Sequence, residues 1–167
     1  MNINFLAIFV AALAIIPIGF IWYNPNVFGN AWMKEIGKTP EDMKNRMAFW
    51  KIMVFSFIGA FFIAFSLNFI VVHQFSMFAL LDGVAEMKGM NPKVYLIVNG
   101  TEIDYAIRFR SFGHGALHGT ITGLFFVFPI IAQNAMYEQK SFKYIAIHAG
   151  YWIVTCAVSG GIICAWV

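Results

Sequence analysis

Charge is what this sequence has least of. Acidic and basic residues make up 11% of its 167 positions, against 60% hydrophobic. That is too little charge to cover a water-soluble domain of this size, so most of the surface must face lipid or protein. None of the eight carboxylates, Glu35, Glu41, Asp42, Asp82, Glu86, Glu102, Asp104 and Glu138, falls inside an apolar run. A proton- or cation-coupled transporter ordinarily places such a group at the midplane. The chain also lacks a phosphate-binding glycine loop, a nucleophile elbow, Cys-x-x-Cys and His-Glu-x-x-His. His114 near Ser111 is the best nucleophile–base pair, and a poor one, so a lipid-modifying enzyme ranks last. The basic residues sit in short loops without interleaved aromatics, which excludes nucleic acid as the expected partner. Cys156 and Cys164 lie two helical turns apart, about 12 Å by rise, and cannot pair with each other.

What the chain has instead is long apolar runs. Four of them predict an all-α membrane protein, a single domain of four transmembrane helices over about 3–23, 48–72, 111–136 and 143–166. No Lys or Arg precedes the first run and no small-residue cleavage site follows it, so it reads as a span, not a cleaved signal peptide. Trp22 and Tyr23 mark its interface end, and Pro25 stops the helix. Phe28, Trp32 and Ile36, at fourfold spacing, predict a short helix on the membrane surface. Thr39-Pro40-Glu41-Asp42 is a helix start, from which a long helix is expected to run to about Val72, with Lys51 snorkelling near its entrance. Residues 73–110 form the one sizeable extramembrane stretch. Within it, a period of two from Ile103 to Phe109 and Asn99-Gly100 upstream predict a β-hairpin over 94–107. The short EQKS turn makes spans three and four antiparallel neighbours. Pro17 and Pro129 fall at similar depth on one side, and their kinks are expected to open a small vestibule there.

The third span carries a glycine row, Gly115, Gly119 and Gly123, on one helix face. If the hairpin turns near Gln139, these glycines lie level with residues 164, 160 and 156. That is one position from a second small-residue row, Ala157, Gly161 and Ala165, and close backbone packing follows. The same register puts His118 about 20 Å in depth from His148, so the two share nothing. His148 is expected to be structural, bonded to Gln133 or Asn134. His73, by contrast, ends span two on the side where span three begins. His73, His114 and His118 therefore form a candidate set for a divalent metal such as zinc, copper or iron, with Asp82, Glu86, Glu102 and Asp104 in the loop above.

Trp22-Tyr23-Asn24-Pro25, Phe28-Gly29 and Trp32-Met33, with His118-Gly119, Gly123 and Gly150-Tyr151-Trp152, carry a family resemblance. On these motifs the chain resembles the bacterial membrane proteins grouped as domain of unknown function DUF 1761. The resemblance implies a four-span integral membrane protein and brings no assigned activity, cofactor or catalytic residue. Lys34, Lys38, Lys44, Arg46, Lys51, Lys140 and Lys143 outnumber Lys88, Lys93, Arg108 and Arg110 on the other side. A bacterial inner membrane with both termini outside is the expected setting. The leading functional expectation is a non-enzymatic, self-associating protein or an accessory subunit of a membrane assembly, with the lipid bilayer and other membrane proteins as partners. The alternative is a metal- or small-solute-binding or transport protein that uses His73, His114 and His118.

Overall fold

A computed structural model of the chain describes residues 3–45, 47–76 and 109–167. Among these, four helices are long and apolar enough to cross a membrane: Phe5–Trp22, Phe49–Val71, Phe112–Tyr137 and Phe142–Ala165. We label the first α1, the second α3 and the fourth α6; α2 is the short helix Asn30–Glu35. The third span is α4 (Phe112–Thr122), a π-helical turn (Gly123–Val127) and α5 (Phe128–Tyr137). No strand occurs among the described residues, and the hairpin expected over 94–107 lies outside them.

The helix starts follow from side-chain oxygens that accept otherwise orphaned N–H groups. Asn4 accepts from the Ala7 amide, Ser111 from that of His114 and Ser141 from that of Tyr144. The long helix expected from Thr39 does not form. Asp42 instead accepts from both the amide and the hydroxyl of Thr39, closing a local loop over one 3-10 turn, Asp42–Asn45. These two bonds hold the Asp42 carboxyl below its usual range. The polar run from Glu41 has no apolar face to bury, so the α-helix begins only with the apolar run at Phe49.

Packing is set by small residues. Ala11 and Ala12 of α1 and Ala60 and Ala64 of α3 are buried where these helices cross, around Ile8, Ile15, Leu67 and Val71. Small-x-x-x-small spacing lets backbones approach closely where lipid offers no hydrophobic drive to associate. The central helix is α6, which touches α1, α3, α4 and α5. Ser159 of α6 donates to the Ala11 carbonyl within this core. α4 runs antiparallel against α6 with its glycines at the contact. Gly160, rather than Gly161, stands against Gly115 and Gly119, while Gly161 faces the Phe112 ring. Pro129 opens α5 at its first turn, and the π turn before it absorbs the change that a proline kink was expected to make.

The C-terminal end of α6 is tied down by one cation. The Arg110 guanidinium donates to the carbonyls of Cys164 at 2.7 Å and Trp166 at 2.6 Å. Arg110→Gln should therefore destabilise the bundle by about 2–3 kcal/mol, the scale of hydrogen bonds to a charged donor. Thermal unfolding in mild detergent, followed by helix content, measures this; an unchanged midpoint would show that the carbonyls find other donors.

Candidate metal centre

Two spans build one cluster of imidazoles. His73 follows the last turn of α3, beyond its cap Val72, and is exposed at the rim. His114 and His118 occupy successive turns of one face of α4, half-buried below it. The capping bond from Ser111 fixes where α4 starts, and hence the height of His114.

The three rings meet edge to face. Their centroids are 4.5 Å apart for His73–His118 and for His114–His118, and 5.1 Å apart for His73–His114. Nε2 of His73 and Nε2 of His118 are 3.1 Å apart, and one nitrogen from each ring lies within 4.8 Å of the others. Three imidazoles around zinc, at Zn–N bonds of about 2.0–2.1 Å in tetrahedral array, stand about 3.3 Å from one another. The His73–His118 pair is close to that separation, and a ligand nitrogen of His114 lies within 4.8 Å of both.

His114 is the informative member. Its ring lies flat on Phe109, 5.2 Å between centroids at 18°, and its Nε2 is buried with no hydrogen-bond partner among the described residues. Phe109 is held there in the left-handed region, φ 61°, a conformation that costs a non-glycine residue about 1 kcal/mol or more. An orphaned buried nitrogen beside a strained backbone is the kind of local cost that a ligand offsets. The four loop carboxylates expected above the cluster lie outside the described residues.

The fourth histidine stands at the opposite rim. His148 of α6 meets the Tyr23 hydroxyl through Nδ1 at 3.4 Å and packs against the Tyr144 ring at a tilt of 48°. Its observed partner is thus Tyr23, not Gln133 or Asn134; Asn134 lines the small cavity beside it. Burial, with the neighbouring Tyr151 and Tyr144 phenols, keeps the Tyr23 hydroxyl above its usual range and therefore protonated. Trp22 donates its indole N–H to the Ile147 carbonyl and packs on Phe28, while Tyr23 packs on Trp32. The motif around Pro25 thus docks α1 and α2 onto the start of α6, besides lying where a membrane interface would be. Gly29 is required there, since a Cβ would overlap the Tyr23 carbonyl as the chain doubles back.

In comparison with known proteins, the family model described as "Protein of unknown function (DUF1761)" matches residues 6–164. No curated protein and no solved structure matches.

Proposed function

The chain belongs to the DUF1761 family of proteins of unknown function, and we propose that it is a membrane-embedded receptor for a divalent first-row transition metal, zinc first among them. The observation that carries this reading is the meeting of His73, His114 and His118 from two separate spans, with their ligand nitrogens within 4.8 Å of one another. Imidazole suits zinc, copper, iron and nickel, whereas magnesium and calcium prefer oxygen donors. Three protein ligands leave a fourth position open for water or a passing ligand. His73, exposed at the rim, is where a metal arrives from the aqueous side. In the orientation favoured by the basic residues, that rim and both termini face outside a bacterial inner membrane.

Elemental analysis of protein extracted in mild detergent, without histidine tag or chelator, tests the reading. About one equivalent of zinc, copper, iron or nickel is expected in the wild type and near none in His118→Ala. Equal metal in both forms, or none in either after dialysis against zinc, would remove it.

A second reading, the accessory subunit of a membrane assembly, is favoured by the third span. Only 17% of its apolar window is buried, against 50% for α6. Phe125 and Phe126 of the π turn stand largely exposed, a face available to lipid or to another spanning helix. Light scattering of the solubilised protein separates the two: a monomer at all concentrations that also brings no other subunit with it counts against an assembly.

A further inference from the structure

At the rim opposite the histidines, residues of α1, α3 and α6, with Trp32 of α2, line an open cavity of about 700 Å³. Its lining is largely apolar, from buried Ile15 of α1 and Ala60 of α3 outward to exposed Phe55. Its upper wall is amphipathic and includes Tyr23 and Trp32. The volume lies in the range of about 300–1,000 Å³ typical of pockets that bury most of a ligand. The segment 30–51, which contributes Trp32, Met43 and Phe49 to the lining, carries Lys34, Lys38, Lys44 and Lys51 against Glu35, Glu41 and Asp42 among its described residues. The three carboxylates already have partners within the chain: Ser141 for Glu35, Lys44 for Glu41 and Thr39 for Asp42. Lys51 lies over the Trp50 ring, 5.6 Å from its centroid.

We infer that this cavity is the seat of one anionic phospholipid, its acyl chain between α1 and α3 and its phosphate among Lys34, Lys38 and Lys51. The two halves of the site match the two halves of that molecule. An apolar slot reached from the rim takes a hydrocarbon chain, and a basic collar at headgroup height attracts a negative headgroup. A free acidic metabolite would leave the apolar depth unfilled, and a zwitterionic lipid would gain little from the collar. The inference is independent of the metal reading, since the histidine cluster lies at the other rim.

Gly59 supplies a clean test. It lines the cavity on α3, and a Cβ built on it meets nothing within 4 Å. Gly59→Phe therefore projects a ring into the space the chain would occupy, with Gly59→Leu as a smaller plug and Gly59→Ala as control. Each protein is placed in nanodiscs of equimolar phosphatidylglycerol and phosphatidylcholine, then released for native mass spectrometry. The wild type and Gly59→Ala should retain one phospholipid, phosphatidylglycerol over phosphatidylcholine by about fivefold or more, roughly one lysine's worth of selectivity. Gly59→Phe should lose most of the retained lipid and Gly59→Leu part of it, with helix content unchanged in both. Lys34→Gln/Lys38→Gln/Lys51→Gln should still retain a phospholipid but no longer prefer phosphatidylglycerol. The inference fails if the wild type retains no lipid or retains both kinds equally. It fails as well if both folded plug variants hold as much lipid as the wild type.

Discussion

Gly119→Ala should cost the bundle about 3 kcal/mol or more, whereas Gly113→Ala, in the same helix, should cost nothing or stabilise it slightly. A Cβ at Gly119 would overlap the Cys156 carbonyl oxygen and stand 3.0 Å from the Ala157 Cα. At Gly115 it would overlap the Gly160 carbonyl oxygen and the Cys164 Cβ. These obstacles are mostly backbone, which cannot swing away as a flexible side chain can, so α4 and α6 must separate to admit even one methyl group. Separation also disturbs Cys164, whose thiol bridges toward the carbonyls of Val71 and Phe109 at the junction of α3, α4 and α6. Leucine at position 115 or 119 should therefore abolish recovery of folded protein. A Cβ at Gly113, by contrast, meets nothing within 4 Å, so alanine there brings only its better helix propensity. Unfolding midpoints of the two alanine variants in one detergent make the comparison. If they shift alike, glycine serves α4 through composition and not through contact.

That contrast shows how far the sequence could be read. Four spans were legible because apolar runs of span length have few other uses in a chain this poor in charge. The meeting of His73 with His114 and His118 was legible for a related reason: alternating span directions fix which helix ends share a rim. What sequence spacing left open was anything decided by less than one turn. The expected seam paired the α4 glycines with Ala157, Gly161 and Ala165; of these Ala157 stands against Gly119, while Gly160, Cys156 and Cys164 make the rest of the contact. Helix spacing fixes depth along the hairpin but not which of two adjacent rows of α6 turns toward α4. The α1–α3 contact through Ala11, Ala12, Ala60 and Ala64 carried a readable small-residue spacing, yet alanine is too common in apolar runs to stand out. Thr39 illustrates a different loss. Its capping pattern was genuine, but local bonds to Asp42 satisfied it in a single 3-10 turn, and nothing in the pattern counts turns. The vestibule expected from two prolines corresponds to a cavity beside Pro17 alone, between Ile15, Ile16 and Gly19. At Pro129 the π turn took up the change instead.

The histidine cluster separates two kinds of stability, and His114→Phe should move them in opposite directions. Phenylalanine keeps a flat ring on Phe109 and removes the buried Nε2 that has no partner among the described residues. In the presence of chelator the variant should be as stable as the wild type or more so by about 1 kcal/mol, because an unsatisfied buried polar atom has been deleted. With zinc at about a hundredfold over its dissociation constant, the wild type should gain about 2.7 kcal/mol by linkage and the variant close to nothing. Loss of one of three imidazoles should weaken the metal by about 100-fold or more, taking structural zinc sites at about 10–16 kcal/mol shared among four ligands as the guide. Acid should act on the wild type in the same direction as the substitution. Each ligand must give up its proton to bind, so zinc stabilisation should fade as the pH drops through the range in which imidazoles protonate, about pH 7 to 5. A cluster whose role is only to join α3 to α4 predicts the reverse. His114→Phe would then destabilise the protein in chelator, and added zinc would leave both proteins where they were. Because a shared defect in folding would lower both forms of the variant together, only a change in the sign of the difference identifies a ligand.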